Sequence, residues 1–166
     1  MATRSTIGMV RLTDGKINAI YCHWDGYPSN NGLCLYRNYN SHDGAWSLML
    51  LGDLSSLRSK IGEKHDLFDL GGVENRGVTN DWCDAYGRDR GDDGCEMKTF
   101  DNIREFKKWS KRVGGDYLYL FKNDGQWWVN NPYELYTGFK KLEKVLVAEG
   151  VIDPIEELIE VAKKSQ

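Results

Sequence analysis

Two Asp-Gly turns constrain the fold of this chain more than any other feature of its sequence. They are Thr13-Asp14-Gly15 and Asn123-Asp124-Gly125, and each stands between two stretches rich in apolar residues. Asp-Gly supplies the positive φ values that a tight hairpin turn requires, and the flanking residues favour strands. The sequence therefore predicts two antiparallel hairpins. Their strands are predicted at 6–12, 16–22, 117–121 and 126–129.

Helical patterns occupy much of the remaining chain. Residues 102–113 follow Asp101, a capping residue, and space their apolar side chains by three or four. Residues 45–51 are apolar on nearly every side, which is typical of a buried helix. Asp153-Pro154 is a start signal for a last helix, whose predicted buried side carries Ile155, Leu158, Ile159 and Ala162. Further helices are predicted from a cap at Asn30 or Asn31 to about Asn40, at 55–61 and at 139–148.

The order of these elements predicts the α+β class. Residues 81–88 alternate Trp82, Asp84 and Tyr86 with smaller residues and are predicted as one further strand. Residues 62–80 are rich in glycine and charge and are predicted as a surface excursion. The sequence contains no repeated strand-helix-strand crossover. We therefore expect an antiparallel sheet of about five strands, built from two hairpins and one further strand, with helices mainly on one face.

The bulk composition is that of a soluble globular protein and disfavours several classes of function. The 166 residues fit a single domain over 1–166, with 129–166 as an alternative C-terminal helical extension. The net charge of −3 argues against a general nucleic-acid-binding surface. We expect no membrane span and no secretory signal, because no long apolar run is present. The 4 cysteines form no close pair and are expected as free thiols of a cytoplasmic protein.

The segment Tyr21-Cys22-His23-Trp24-Asp25-Gly26-Tyr27-Pro28 is chemically unusual for a loop. It combines an imidazole, a carboxylate and several rings, whereas most loops are built from small polar residues. We interpret it as one wall of a ligand site, in which Trp24 and Tyr27 contact a flat or apolar part of the ligand. His23 and Asp25 would fix its orientation through hydrogen bonds. The alternative is a rigid structural corner whose rings close one end of the core.

A second candidate is the loop Arg88-Asp89-Arg90-Gly91-Asp92-Asp93. Arg88 and Arg90 stand at alternate positions, where two guanidinium groups suit a phosphate or a carboxylate. The alternation of Arg and Asp equally fits a solvated loop that neutralises its own charge. The two segments form one site only if they meet in space. On that condition the predicted ligand-binding residues are His23, Trp24, Asp25, Tyr27, Arg88, Asp89 and Arg90.

Metal and nucleophile chemistry have weaker support. Cys22, His23 and Asp25 match no zinc spacing, and the acidic loop lacks the oxygen alternation of a calcium loop, so we predict no metal and no cofactor. Neighbouring residues of a strand point to opposite faces, which separates Cys22 from His23 and argues against a thiol-imidazole pair. In an enzyme, His23 would be the general acid or base and Asp25 its orienting partner, with Arg88 and Arg90 as clamps.

Three motifs resemble a family of small uncharacterised proteins from tailed bacteriophages and bacterial genomes. They are Tyr21-Cys22-His23-Trp24-Asp25-Gly26-Tyr27-Pro28, Leu51-Gly52-Asp53-Leu54-Ser55-Ser56-Leu57 and Tyr86-Gly87-Arg88-Asp89-Arg90-Gly91. The similarity covers about residues 3–130. The resemblance carries no established activity, but it implies a setting, the bacterial cytoplasm during phage infection. Small accessory proteins in that setting bind and block a host protein or sequester a nucleotide signal.

These observations favour a non-enzymatic binding protein, a phage accessory factor whose partner is a host protein or a small anionic, nucleotide-like ligand. One alternative is an enzyme of phosphate or nucleotide hydrolysis or transfer. Another is an inhibitor of a second protein, which presents exposed aromatic residues and the basic face of the 102–113 helix. We expect neither a membrane nor a nucleic acid as partner.

Overall fold

A computed structural model of the chain describes residues 2–66, 81–131 and 138–165. Its strands are β1 Ser5–Val10, β2 Ile17–Cys22, β3 Leu54–Ser56, β4 Asp84–Ala85, β5 Lys98–Phe100, β6 Tyr117–Phe121, β7 Trp127–Asn130 and β8 Lys140–Lys141. Its helices are α1 Leu33–Asn38, α2 His42–Leu51, α3 Tyr86–Arg90, α4 Ile103–Arg112, α5 Leu142–Ala148 and α6 Pro154–Lys164. A π-helical turn, Pro28–Gly32, leads into α1. Most of the predicted surface excursion at 62–80 lies outside the described residues.

The strands form one mixed sheet in the order β4-β3-β2-β1-β6-β7-β8, and β5 pairs with β2 as well. Both predicted hairpins are confirmed, since β1 pairs antiparallel with β2 and β6 pairs antiparallel with β7. The prediction of an antiparallel sheet of about five strands is wrong, because β1 runs parallel to β6 and β2 runs parallel to β3. Turn chemistry specifies the partner within a hairpin, but it does not specify which edges of two hairpins dock.

Alternate residues of the central strands face two separate cores. Ile7 and Tyr119 point to the face on which α1, α2 and α5 pack. Leu118 points to the opposite face, which α4 covers with Phe106 and Trp109. Both faces of the central sheet are therefore shielded from water. Shielding on both faces is the usual environment of parallel strand pairs.

Two local predictions beside the central hairpin are wrong. The segment predicted as a helix at 55–61 begins with strand β3, which is buried between β2 and β4. The strand predicted at 81–88 is reduced to β4, and α3 begins directly after it. The Ala85 N–H donates to the Asp89 carboxylate at 2.8 Å and so fixes the start of α3. Long-range pairing and one buried carboxylate outweigh the weak local preference of both segments.

The helices predicted at 102–113 and from 154 onward are confirmed as α4 and α6. The cap of α4 is Asn102 and not Asp101, because the Asn102 side chain accepts from the Glu105 N–H at 3.0 Å. The predicted buried side of α6 is wrong, since Ile155 is 68% exposed and Ile159 is 49% exposed. Its main neighbour in the described part of the chain is α5, which is too short to cover that side.

Candidate functional site

The segment that follows β2 is held to the sheet by backbone hydrogen bonds. The His23 N–H donates to the Leu54 carbonyl at 3.0 Å, and the Trp24 N–H donates to the Ser55 carbonyl at 3.1 Å. His23 also lies on the same side of the chain as Tyr21, whose hydroxyl is 2.8 Å from His23 Nδ1. The segment therefore continues alongside β3 for two residues beyond β2. The orientation of the His23 ring is set by Tyr21.

Gly26 anchors the other side of this turn. Its N–H donates to the Thr3 carbonyl at 2.8 Å, and its carbonyl accepts from the buried Tyr119 hydroxyl at 2.6 Å. A Cβ at this position would lie 2.8 Å from the backbone carbonyl carbon and oxygen of Arg4. Such a contact is too short, so only glycine lets the turn approach the first strand this closely.

Asp25 has an uncommon backbone conformation. Its φ is 56°, and it is the only non-glycine residue with a positive φ in the described parts of the chain. The left-handed region costs an L-residue about 1–2 kcal/mol, although Asp adopts it more readily than most. The Asp25 carbonyl accepts from the Asn31 N–H at 3.1 Å, which helps to hold this geometry. The surrounding contacts thus maintain a strained residue at the tip of the turn.

The rigid turn exposes two large rings to solvent. The exposed fraction is 39% for Trp24 and 38% for Tyr27. The His23 ring packs edge-on against Trp24 at a centroid distance of 4.7 Å. The Tyr27 hydroxyl lies 3.5 Å from the Asp25 carboxylate. Trp and Tyr held on a rigid surface are the residues most often found at the energetic centre of protein interfaces.

A pocket of about 310 Å³ opens beside the turn. Its wall combines the turn, the π-helical turn with α1, and the segment after β3. The lining residues are Trp24, Asp25, Asn30, Asn31, Cys34, Ser56, Leu57, Arg58, Ser59 and Asp81. Asn31 is fully buried and donates to the Trp24 carbonyl at 3.1 Å, but its Oδ1 atom has no hydrogen-bond partner. A buried acceptor without a partner costs about 1–3 kcal/mol.

The charges in this pocket favour a cation. Asp25 and Asp81 are both exposed, and neither carboxylate forms an ion pair within the described ranges. The one cationic side chain of the wall, Arg58, is paired with the buried Asp84 at 2.9 Å. The charge of Arg58 is therefore largely offset within the protein. Two carboxylates remain to set the local potential.

Arg88, predicted to bind an anion, is part of an internal network. Its Nη1 donates to the Ile61 carbonyl at 2.7 Å, and its Nη2 donates to the Cys83 carbonyl at 2.9 Å. Its Nε donates to Asp89 at 2.8 Å. The Asp89 side chain is completely buried. The structure therefore places Arg88 and Asp89 below the surface, where they stabilise the junction of β4 and α3.

Three further residues of this network, His65, Asp84 and Arg58, were missed by sequence reasoning. His65 Nε2 lies 2.7 Å from Asp84 Oδ1, while Arg58 donates to Asp84 Oδ2 at 2.9 Å. The His65 backbone N–H donates to Asp89 at 3.1 Å. No local pattern connects His65 with Asp84, because partners that are distant in sequence meet only in the folded chain. The network holds one imidazole between two carboxylates, each paired with a guanidinium group.

Arg90 is the exposed arginine of the predicted loop. It forms an ion pair with Asp92, with an Nε–Oδ2 distance of 3.0 Å, and its guanidinium lies 4.6 Å from the centre of the Tyr86 ring. The hydrogen bond from Arg90 lowers the pKa of Asp92. The Tyr21 N–H donates to the Asp53 carboxylate at 2.9 Å, and the Tyr86 N–H donates to the Asp53 carbonyl at 3.1 Å. The two predicted segments approach each other at Asp53, but they share no wall of the pocket beside Trp24.

The site offers little support for metal or thiolate chemistry. Within the described ranges, His65, Asp84 and Asp89 form the one group whose ligand atoms lie within 4.8 Å of one another. Guanidinium groups and backbone N–H donors already satisfy these carboxylates. Burial raises the pKa of Cys22 and of Cys34 to about 12. Both thiols are therefore protonated and weakly nucleophilic near neutral pH.

Comparison of the chain with known protein families, with curated proteins and with solved structures gives no significant match. Among the described helices, none combines the length and the apolar character that a bilayer crossing requires.

Proposed function

We propose that this protein is a binding protein that recognises a cationic group of its partner through Trp24, Asp25 and Tyr27. The observation that carries the proposal is a rigid turn that exposes the Trp24 and Tyr27 rings and places Trp24 and Asp25 in the wall of a polar pocket. A partner that presents an Arg or Lys side chain satisfies this chemistry. The bacteriophage setting implied by the sequence resemblance makes a host protein the partner that we propose.

Rigidity is the first argument for binding. Four backbone hydrogen bonds and the Tyr119 hydroxyl hold 23–26 in place before any partner arrives. A surface that is already ordered loses little conformational entropy when a complex forms. Exposed Trp and Tyr rings in water have no benefit for folding, but they supply a large contact area to a partner.

Charge is the argument for a cation instead of an anion. Asp25 and Asp81 line one pocket, and a guanidinium group that enters it meets carboxylates with which it forms charge-assisted hydrogen bonds. The Trp24 ring adds a cation–π contact to the same group. A phosphate in this position would face two negative charges. The small anionic ligand expected from the sequence is therefore not proposed for this pocket.

The geometry supports binding better than catalysis. His23 and Asp25, the predicted acid-base pair, have different partners, since His23 Nδ1 lies beside the Tyr21 hydroxyl and Asp25 lies beside Tyr27. Asp25 lines the pocket, whereas His23 does not. A general base must lie within hydrogen-bond reach of the proton that it removes. The alternative of a His23-Asp25 hydrolase has less support than a binding site.

The test is a titration with N-acetyl-arginine amide, followed by NMR chemical shifts of the tryptophan indole groups. We expect Asp25→Asn to weaken binding about five- to tenfold, because one charge-assisted hydrogen bond is lost. Asn tolerates the left-handed backbone at position 25, so the turn keeps its shape. Asp101→Asn is the matched control, because Asp101 is exposed and lies outside the pocket. Equal affinity of the two variants, or no shift of the Trp24 indole, would contradict the proposal.

A further inference from the structure

A second, larger groove lies between residues of β7, β8 and α5 and is bordered by Pro28. Its volume is about 670 Å³, which is within the range that accommodates a drug-sized ligand. Its apolar wall is made by Pro28, Tyr117, Val129, Val145 and Ala148. It shares no lining residue with the pocket beside Trp24. The two cavities are therefore independent sites.

The rim of this groove is positively charged. Among the described lining residues, Lys140, Lys141 and Lys144 contribute to it, against the one carboxylate of Glu149. The Lys141 ammonium lies 5.9 Å from the centre of the Trp128 ring. Lys140 has no ion-pair or hydrogen-bond partner recorded in the described parts of the chain. Three lysines within five residues repel one another, and an anion bound between them would relieve this repulsion.

We propose that this groove binds a small organic anion, with an apolar body against Val129, Val145 and Ala148 and a carboxylate or phosphate beside Lys140 and Lys144. A neutral apolar ligand would fill the wall but would make no use of the positive charge of the rim. A cation would be repelled by the positively charged rim. The charge and the apolar wall together thus select one chemical class, and this inference does not depend on the function proposed for Trp24.

The probes are anilinonaphthalene sulfonate, which is a fluorescent aromatic anion, and phenylnaphthylamine, its neutral relative. We expect the double variant Lys140→Gln/Lys144→Gln to weaken sulfonate binding about tenfold and to change binding of the neutral probe less than about twofold. Ala148 is exposed at the groove, so Ala148→Trp fills the groove from its rim without disturbing the core. This variant is expected to abolish binding of both probes.

The matched control is Lys108→Gln/Lys111→Gln, which removes the same charge from α4. Competition by decanoate and by phenyl phosphate then distinguishes a carboxylate ligand from a phosphate ligand. Sulfonate binding within twofold of the control in the groove variant would overturn the inference. Undiminished binding in Ala148→Trp, or no binding by the unaltered protein, would overturn it as well.

Discussion

Gly26→Ala tests whether the close approach of the turn to the first strand maintains the candidate site. The new Cβ would lie 2.8 Å from the Arg4 carbonyl carbon and oxygen and 3.0 Å from the Ser5 Cβ. These are atoms of the backbone or next to it, so no rotamer change can move them away. Either the turn or the chain at Arg4 must shift. That shift acts directly on the hydrogen bonds of Gly26 with Thr3 and Tyr119.

The size of the effect follows from three contributions. Forcing a methyl group into a packed site costs about 1–3 kcal/mol. A weakened hydrogen bond between the buried Tyr119 hydroxyl and the Gly26 carbonyl costs about 1 kcal/mol more. Replacing glycine restricts the unfolded chain and offsets about 0.4–1 kcal/mol of this loss. We therefore expect the free energy of unfolding to fall by about 2 kcal/mol.

Urea unfolding followed by tryptophan fluorescence and by circular dichroism measures this change. With a urea dependence of about 2 kcal/mol per molar, the midpoint should fall by about 1 M. Gly87→Ala is the matched control, because the nearest atom to a Cβ at Gly87 is 3.6 Å away and the residue is within a helix. That substitution should leave stability unchanged or raise it by up to about 1 kcal/mol. If both variants unfold at the same urea concentration, the argument for a tightly anchored turn fails.

Two further predictions concern the buried network and the thiols. Arg88→Ala leaves the Asp89 carboxylate buried without its guanidinium and should cost about 3–5 kcal/mol. Arg90→Ala removes only an ion pair in solvent and should change stability far less. Equal losses in urea unfolding would refute this division. Burial raises the pKa of Cys22 and Cys34 from 9.0 to about 12. Between pH 9.0 and about 12 these thiols ionise in the unfolded chain but stay protonated in the folded protein. Because the unfolded state then binds fewer protons, the free energy of unfolding should fall above pH 9 by up to about 1.4 kcal/mol per pH unit for each thiol. The same measurement at about pH 8 and pH 10 should show a smaller fall in Cys34→Ser, and an unchanged fall would contradict the assignment.

The part of the fold that was predictable is the part specified by local chemistry. Both hairpins follow from Asp-Gly turns at 14–15 and 124–125, where backbone preference alone selects the partner strand. The parallel pairing of β1 with β6 joins residues more than 100 positions apart, at Ser5↔Tyr117. No turn encodes such a pair. The parallel pairing results from the burial of both faces of the sheet, which requires the helices on each side to pack against it.

The candidate site shows the same division between local and long-range information. The composition of 21–28 indicated a binding surface, and the structure places Trp24 and Asp25 in a pocket wall. Asn31 and Arg58 complete that wall, but nothing near them in sequence marks them for it. Arg88 shows the opposite case. A charged residue in a loop-like sequence is expected in solvent, whereas here its side chain is only 19% exposed because carbonyl groups of the folded chain accept its hydrogen bonds.

The strongest argument for a site beside Trp24 is that several unfavourable features occur together there. Asp25 has a strained backbone, the Trp24 and Tyr27 rings remain in solvent, and the buried Asn31 Oδ1 atom lacks a partner. Each feature reduces stability, and each involves a residue of the turn or of the pocket wall. Folded proteins satisfy their local preferences almost everywhere and depart from them mainly where function requires it. A cation bound beside Asp25 and Asp81 and covered by the Trp24 ring would bury that exposed ring and offset part of the negative charge of the two carboxylates, so the same features that weaken the free protein would stabilise its complex.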